Sequence, residues 1–541
     1  LIGLVGSEMC IRDRLYVYSF ISGTDWADEV ARIDRMSKIT KQDIVDWANK
    51  YLGPESYAIV YKREGKDPNE QKIAAPKITP IVTNRDSQSE FLTEIQNSKV
   101  EPIEPVFVDY KKDMSQFEAQ KGVNVLYKKN ETNDIFTLIY VFNTGTENDP
   151  ALNLAFDYLS YLGTDKMSAE QIASEMYAIA CSFGLSAGAN QSWIEVSGLS
   201  ENMGKAMEIV EGLIAGAQPN EEILQNLKGD MIKSRADAKL NQSRCFGALQ
   251  RYMIYGSDFI RRTTLTDPAL QGLTSEQLLA KIGDLMGKQH EVLYYGPQDE
   301  AEVKAALAAH HKVAADLQPL EKKFSTLQPT DENKVMLAQY DAKQLYYMQY
   351  SNRGEKFDLA ADPQITLYNE YFGGGMNTIV FQEMREARGL AYSAWANLAI
   401  PTNAKGDYYY MAFIATQNDK MQKAIEAFDE IINNMPESEK AFSIAKEALI
   451  SRLRTERTVK DGVLWSYIRM RDLGLTEPRG KQIFEKAQQM TLADVKAAQE
   501  KWVKGRKYVY GILGDIQDLD LNYLKTLGPI QTVTQEEIFG Y

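Results

Sequence analysis

The sequence predicts an α+β protein that contains two homologous domains, each a mainly antiparallel sheet flanked by helices, preceded by a partial domain. Three segments share one pattern, in which a capped amphipathic helix leads to an apolar strand. Two other segments share a second pattern, in which two strand-like runs are joined by polar residues. Strands that alternate with long helices, without the glycine fingerprint of a parallel βαβ unit, favour antiparallel layers.

The first pattern marks the ends of domains, and its copies begin at Ser37, Leu273 and Met490. In each copy a Ser or Thr stands where its side chain could accept a hydrogen bond from the free amides of a helix start. Apolar residues then recur at intervals of three and four, as expected for a helix with one buried face. The copies lie roughly 220 to 240 residues apart, which is the size of a domain and not of a solenoid repeat.

The second pattern marks the beginnings of domains, over Gly122–Asp149 and Asn333–Asp358. In each segment two β-prone runs flank a short polar stretch. A helix-like stretch follows each segment and leads to a glycine, Gly163 in one copy and Gly373 in the other. Each domain is therefore expected to open with strands and to close with a helix and a strand.

These patterns divide the chain into six segments. Residues 1–14 resemble translated sequencing adapter and are left out of the fold prediction; because the chain opens with Leu1, we expect an incomplete reading frame. Prolines at high density extend the backbone and remove amide donors, which predicts a linker over residues 66–106. The remaining segments are a C-terminal remnant of a preceding domain (15–65), two complete domains (107–320 and 332–520) and a tail (521–541).

Composition excludes several classes of function. The chain has 61 Lys and Arg against 75 Asp and Glu, a net charge of −14, which argues against a nucleic-acid-binding surface. No apolar run reaches the ~20 residues of a membrane span. Cys10, Cys181 and Cys245 have no paired spacing and predict no disulfide framework; buried thiols are expected at Cys181 and Cys245.

The most distinctive segment is FGGGMNTIVFQEMREARGLAYSAW, residues 372–395. It places three consecutive glycines before a helix-like run, and then Arg385 and Tyr392 on either side of a Gly-Leu-Ala turn. The string Arg-Glu-x-Arg-Gly-Leu-Ala-Tyr resembles the C-terminal half of the insulinase/pitrilysin family of zinc metallopeptidases, which carries an Arg and a Tyr at this spacing. The resemblance extends over residues 15–530.

The resemblance implies roles for five residues. Tyr392 would donate a hydrogen bond to the scissile carbonyl as it becomes an oxyanion. Arg385 would bind a carbonyl or carboxylate of the substrate. Gly373, Gly374 and Gly375 are assigned to substrate binding. They do not form a phosphate loop, because no Lys-Ser or Lys-Thr follows, and a close backbone approach is the expected reason for them.

A structural alternative is open for the Arg–Tyr pair. Arg385 could form an ion pair with Glu383 or Glu386 on a helix surface. Tyr392 could pack beneath the sheet. In that case neither side chain would contact a substrate.

The family's zinc motif, His-x-x-Glu-His, is absent from the chain. The segment that would contain the motif, LNLAFDYLSYLGT, still ends in the Gly-Thr pair that follows the motif in the family, here Gly163 and Thr164. We call this segment the zinc frame. Counted back from Gly163, the two ligand positions hold Leu154 and Tyr158, and the glutamate position holds Asp157. Neither Leu nor Tyr replaces a neutral imidazole. We expect no metal or cofactor in this chain, and zinc only in the full-length enzyme that the resemblance implies.

The chain has three histidines, His290, His310 and His311. They have no helical ligand spacing and no nearby Cys or Asp cluster. We therefore predict a core or surface role for them, and no metal binding.

The resulting hypothesis is the C-terminal, substrate-contacting half of a zinc metalloendopeptidase that degrades peptides or unfolded polypeptides and is inactive alone. Its partners would be a peptide substrate and a missing zinc-bearing N-terminal half or subunit. Two alternatives are open: a separate non-catalytic subunit of a zinc-bearing peptidase, and a structural or peptide-binding homologue without catalysis. By resemblance, the bacterial periplasm or cell envelope is the expected location.

Overall fold

The structure, a computed structural model, describes residues 8–61, 89–99 and 101–541. Its backbone contacts define two compact units, Leu1–Pro102 and Ile103–Tyr541. Most of the predicted linker lies outside the described residues, as do Pro68, Pro76 and Pro80. Residues 1–7 of the predicted adapter segment lie outside them as well.

The described part of the first unit is helical. Its helices are α1 (Glu8–Ser22), α2 (Trp26–Val30), α3 (Arg32–Met36), α4 (Lys41–Tyr51) and α5 (Glu90–Asn97). Helix α4 begins with the predicted cap: the Asp43 amide donates to Thr40 Oγ1 at 3.2 Å, and the Thr40 amide donates to the Asp43 carboxylate at 2.8 Å. This reciprocal pair satisfies two amides that the helix cannot satisfy itself.

The second unit begins with a six-stranded sheet whose order is β1-β2-β6-β3-β5-β4. Only the β2–β6 pair is parallel. The strands are β1 (Ser115–Gln120), β2 (Val123–Lys129), β3 (Ile135–Phe142), β4 (Cys181–Ala187), β5 (Ser192–Leu199) and β6 (His290–Gly296). The helices of this domain are α6 (Leu152–Ser160), α7 (Ala169–Ala178), α8 (Met203–Gly216), α9 (Glu221–Lys239), α10 (Gln242–Tyr255), α11 (Ser257–Thr263), α12 (Asp267–Gly272), α13 (Ser275–Met286) and α14 (Glu300–His310).

A second six-stranded sheet has the order β12-β7-β11-β8-β10-β9, and β7 pairs in parallel with β11 and β12. Its strands are β7 (Lys334–Gln339), β8 (Gln344–Lys356), β9 (Ser393–Ala399), β10 (Asp407–Gln417), β11 (Val509–Gly514) and β12 (Ile530–Val533). Its helices are α15 (Asp362–Phe372), α16 (Ile379–Phe381), α17 (Met421–Asn433), α18 (Glu439–Thr455), α19 (Gly462–Asp472), α20 (Arg479–Ala487), α21 (Leu492–Ala498), α22 (Leu521–Leu527) and α23 (Gln535–Phe539). Two π-helical segments extend α16 and α21, over Gln382–Ala387 and Gln499–Val503.

The predicted fold class is confirmed: two homologous domains each contain a mainly antiparallel sheet with helices against it. In both domains the last strand of the predicted ending enters the middle of the sheet. Strand β6 lies between β2 and β3, and β11 lies between β7 and β8. The predicted tail holds α22, β12 and α23, and β12 forms an edge of the second sheet. The remaining domain boundaries stay predictions.

The first copy of the ending differs from the prediction, because residues 56–61 form no strand. A strand needs the backbone of a neighbouring strand to satisfy its amides and carbonyls. The described part of the first unit contains no other strand that could provide it. The predicted strand after α4 is therefore wrong over residues 56–61, and the rest of the predicted segment, residues 62–65, lies outside the described residues.

The two sheet domains cover each other's sheets. Leu249 and Met253 of α10 belong to the first domain, yet they pack in a buried cluster with Met348 of β8 and Leu513 of β11. A Cβ on Gly511 of β11 would lie 2.2 Å from the Met253 sulfur, so this helix sits directly on the second sheet.

Helix α19 makes the reciprocal contact. Its residues Leu464 and Ile468 pack in a buried cluster with Leu126, Ile139 and Leu293 of the first sheet. Each sheet therefore has its own helices on one face and a helix from the other domain on the opposite face.

Candidate functional site

The glycine-rich segment begins directly after α15, and the chain then continues through α16 to strand β9. At Gly373 the backbone of the segment meets β9: the Ala396 amide donates to the Gly373 carbonyl at 3.0 Å. A Cβ at Gly373 would lie 2.3 Å from the Ala396 carbonyl oxygen, so no larger residue fits without movement of the strand. Gly374 has open space around it, and the nearest atom to a Cβ on Gly375 is the Thr378 methyl at 3.7 Å. The expected close approach is therefore found at one of the three glycines.

The structure brings Arg385 and Tyr392 together. The Arg385 guanidinium carbon lies 4.6 Å from the centre of the Tyr392 ring and 4.9 Å from the centre of the Phe381 ring. A cation against an aromatic face is attracted by the ring quadrupole. Arg385 thus lies against both rings, and its Nε also forms an ion pair with Glu386 at 3.6 Å. The contact with Phe381 is a feature that the sequence analysis missed.

Tyr392 is directed to solvent. Its side chain is 76% exposed, and no hydrogen bond of its hydroxyl occurs within the described residues. The alternative in which Tyr392 packs beneath the sheet therefore does not hold. An exposed phenol next to a guanidinium can donate a hydrogen bond to a bound carbonyl oxygen.

The turn between the two residues is fixed by the structure around it. Gly389 has φ +57°, a left-handed conformation that favours glycine. The Leu390 amide donates to the Met384 carbonyl at 2.9 Å, and the buried Thr416 hydroxyl donates to the Leu390 carbonyl at 2.6 Å. These bonds set the direction in which the chain enters β9 and hence the position of Tyr392.

Arg388 anchors the outer side of the same turn. Its guanidinium donates to Glu430 of α17 at 2.7 Å and lies 3.4 Å from Glu383. The hydrogen bond to Glu430 raises the pKa of Arg388. Arg388 is thus held by carboxylates, whereas Arg385 lies against two aromatic rings and also forms the ion pair with Glu386 that the structural alternative expected.

Strand β9, which begins directly after Tyr392, is an edge strand. It pairs with β10 from Ser393 to Ala399, and no described strand pairs with its other side. On that side the end of α15 covers part of the edge: the Ala396 amide donates to the Gly373 carbonyl, and the Leu398 amide donates to the Asn369 side chain. An edge strand presents backbone amides and carbonyls that an extended peptide can pair with. The Arg385–Tyr392 pair therefore lies at the start of this edge, before the part that the end of α15 covers.

The zinc frame of the first domain does not fit a metal. Tyr158 of α6 is fully buried, donates to Ser275 Oγ at 2.7 Å and accepts from the Asn220 amide at 2.7 Å. Leu154 is also buried in the core, and burial raises the pKa of Asp157. Among the described residues no group of three or more His, Cys, Asp or Glu could hold a metal ion. The phenol and the leucine occupy the ligand positions as packing residues.

Two of the histidines form a buried cluster, as a core role predicts. His290 Nδ1 donates to the Lys288 carbonyl at 2.8 Å, His290 Nε2 lies 2.8 Å from His311 Nε2, and His311 Nδ1 lies 2.6 Å from Glu211. Burial lowers the pKa of His290 to about 4. Sequence analysis missed this cluster because its members are far apart in the chain. His310 packs near Gly204.

The cysteines Cys181 and Cys245 are buried, as predicted, and burial raises the pKa of both thiols.

Among the described residues, no helix combines the length and apolar character that crossing a bilayer requires.

Comparisons with known proteins define the class of the fold. The chain is similar to the structure of a peptidase M16 inactive domain from Pseudomonas fluorescens, with a TM-score of 0.60 at 19% identity over 74% of this chain and 98% of that one. It is also similar to the periplasmic protease PqqL from Escherichia coli, with a TM-score of 0.59 at 14% identity over 90% of this chain and 52% of that one. The ferredoxin protease FusC, solved in complex with Arabidopsis ferredoxin, has a TM-score of 0.59 at 13% identity over 88% of this chain and 51% of that one.

Sequence comparisons agree with the structural ones. Residues 287–449 match the family described as the peptidase M16 inactive domain. Two relatives are described as uncharacterized zinc proteases: one from Streptomyces coelicolor, 23% identical over 46% of this chain, and one from Rickettsia bellii, 24% identical over 56%. The matched part of this chain spans 56% of the length of the first and 70% of the second. The expected resemblance is confirmed: residues 287–449 match the peptidase M16 inactive domain, and the relatives found by sequence are described as zinc proteases.

Proposed function

We propose that this chain is the C-terminal, substrate-contacting half of a zinc metalloendopeptidase that cleaves peptides or unfolded polypeptides. The observation that carries the proposal is the exposed Tyr392 held by Arg385 at the start of the edge strand β9. The exposed Tyr392 hydroxyl, next to the Arg385 guanidinium, is free to reach a bound carbonyl group.

Each member of the site has a role in the proposal. A polypeptide lies along the start of β9 beside Tyr392, and Gly374 and Gly375 leave room for its backbone, while Gly373 holds the segment against β9. The Tyr392 hydroxyl donates to the scissile carbonyl as negative charge develops on its oxygen. One such donor is worth about 3 kcal/mol of barrier. Arg385 binds a carbonyl or carboxylate of the same polypeptide with its planar fork of donors.

The chain alone is inactive in this proposal, because the ligand positions of its zinc frame hold Leu154 and Tyr158. Zinc would be held by another half of the enzyme, either on the same polypeptide or on a partner subunit. When bound there, it would activate the attacking water. This chain would supply the backbone edge, the oxyanion donor and the cationic anchor. Since one similar protein is described as periplasmic, we place the enzyme in the cell envelope in this proposal.

The test joins this chain in one reading frame to a zinc-bearing half with the His-x-x-Glu-His motif and measures cleavage of an unfolded reporter polypeptide. Tyr392→Phe removes only the hydroxyl, and kcat is expected to fall about 100-fold with an unchanged zinc content. Tyr177→Phe is the matched control, because Tyr177 lies on the first domain and is also exposed. Equal turnover of the Tyr392→Phe fusion and the wild-type fusion would contradict the catalytic role.

A further inference from the structure

Strand β4 forms an edge of the first sheet, and its backbone is open on the outer side. It takes the place in the first sheet that β9 takes in the second. Among the described residues, no hydrogen bond joins residues 182–187 to any element other than β5. Ser182 and Gly184 are exposed, and a Cβ on Gly184 would have no atom within 4 Å. Every second residue of such a strand directs its amide and carbonyl to solvent.

The other three sheet edges are each protected in a different way. Strand β12 has only four residues. Strand β1 carries the charged Glu118, and its register with β2 shifts between Glu118 and Gln120. At β9 the Gly373 carbonyl accepts from the Ala396 amide. Short edges, charges, irregularities and covering segments all hinder pairing with another chain. Strand β4 has seven residues, CSFGLSA, with no charge and no proline and in unbroken register with β5, so it stays available for pairing.

The inner face of β4 is apolar. Phe183 and Leu185 are half-buried at the rim of the first domain's core, and they lie opposite Val196 and Ile194 of β5. A strand that paired with β4 would place alternate side chains against Phe183 and Leu185. Cross-strand contacts of this kind favour apolar residues at those positions.

The outer face of β4 gives access to a carboxylate. Glu195 of β5 lies opposite Gly184 in the pairing of the two strands, and it has no ion pair within the described residues. Neighbouring strands are about 4.8 Å apart, so an added strand would lie about 10 Å from the backbone of Glu195. Because Gly184 has no side chain, a Lys or Arg on the added strand can extend across it to the Glu195 carboxylate.

We infer that β4 binds an extended segment of a polypeptide as a seventh strand of the first sheet. Apolar side chains of the segment contact Phe183 and Leu185, and a Lys or Arg on its other face pairs with Glu195. That this segment belongs to the polypeptide that Tyr392 contacts rests on the proposed function.

A second copy of this chain is a poorer occupant of the edge. A seven-residue edge is about 24 Å long, which is little surface for a dimer, since stable interfaces bury about 800 Å² on each partner. In addition, β4 contains no Lys or Arg that a second copy could bring to Glu195. A segment of a longer polypeptide needs no large interface here, because its other contacts keep it close to the edge.

The experiment titrates the complete 541-residue chain into a fluorescently labelled peptide and follows anisotropy. The peptide has about nine residues, enough to span β4, with Val alternating with Thr and one central Thr replaced by Arg. Glu195→Gln is expected to raise the dissociation constant of this peptide about fivefold. The same variant is expected to bind the all-Thr version of the peptide as the wild type does. Glu118→Gln, on the opposite edge of the sheet, is the matched control and is expected to change neither constant.

A second pair of peptides tests the backbone pairing without any change to the protein. Each carries a methyl group on every second backbone nitrogen, in one of the two possible phases. Because only alternate amides of a paired strand face its neighbour, one phase is expected to abolish binding and the other to retain it.

Three outcomes would overturn the inference: no binding of the unmethylated Arg peptide, equal effects of the two methylated phases, or equal effects of Glu195→Gln on the Arg and Thr peptides. Dimerisation in sedimentation velocity that the peptide reverses would assign the edge to a second copy instead. These measurements use the chain alone, so a negative result leaves the kcat test of Tyr392 intact. Unchanged turnover of the Tyr392→Phe fusion would reject the proposed function and leave binding at β4 in place.

Discussion

Arg471 of α19 forms a bidentate ion pair with Glu291 of β6, with N–O distances of 2.6 and 2.7 Å, and thereby joins the two sheet domains. The hydrogen bonds to Glu291 raise the pKa of Arg471. Parallel bonds of this kind fix orientation as well as distance. The pair lies beside the cluster in which α19 packs on the first sheet.

The first prediction concerns this pair. Arg471→Ala is expected to lower the free energy of unfolding by about 1 kcal/mol, because Glu291 loses its partner at a largely covered interface and solvent screens part of the effect. Urea denaturation followed by circular dichroism measures the change. Lys481→Ala, which breaks the exposed pair with Glu477, is the control and is expected to have almost no effect. Equal losses in the two variants would show that Arg471 contributes no more than a surface charge.

The second prediction separates the three glycines. Gly373→Ala is expected to destabilise the chain by about 2 kcal/mol, because its Cβ would lie 2.3 Å from the Ala396 carbonyl oxygen and β9 would have to move. Gly374→Ala, in open space, is expected to be nearly neutral. Chemical denaturation of both variants provides the comparison. A neutral Gly373→Ala would mean that β9 has no fixed position against the end of α15.

The third prediction concerns the pH dependence of stability. The folded-state pKa of His290 is about 4, below the ordinary value of 6.5, because burial and the neighbouring His311 oppose its protonation. The unfolded state therefore binds more protons between these values, and stability falls as the pH is lowered from 6.5 towards 4. The full effect is on the order of 3 kcal/mol. Protonation of His290 would also point its N–H towards the N–H of His311, so that two donors would face each other.

Unfolding in urea at pH 7 and pH 5 measures this dependence. His290→Gln is expected to reduce the difference between the two pH values, whereas His310→Gln, outside the cluster, retains it. An unchanged difference in His290→Gln would assign the pH dependence to other groups.

The sequence predicted those parts of the fold that depend on local signals. Thr274 caps α13 and Thr491 caps α21. Each cap, with the apolar positions that follow it, is a property of a single helix and can be recognised without knowing what that helix packs against. The insertion of β6 between β2 and β3 could not be predicted in this way, because it depends on which distant strands pair. The exchange of α10 and α19 between the sheets has the same cause.

The candidate site likewise combines features that the sequence predicted with features that it could not predict. The spacing of Arg385 and Tyr392 identified the pair, and the structure brings the two side chains into contact. Phe381 was not identified, because its contact with Arg385 depends on the local backbone, which is continued by the π-helical segment Gln382–Ala387. The His290–His311–Glu211 cluster joins three elements and leaves no signature in any one of them.

The packing of α10 and α19 on the sheet of the other domain has a consequence for how the two domains unfold. One face of each sheet is covered by a helix of the other domain. An isolated domain would therefore expose an apolar sheet face to solvent. A cut between them would expose two apolar sheet faces at once, so unfolding of one domain should carry the other with it as a single cooperative event.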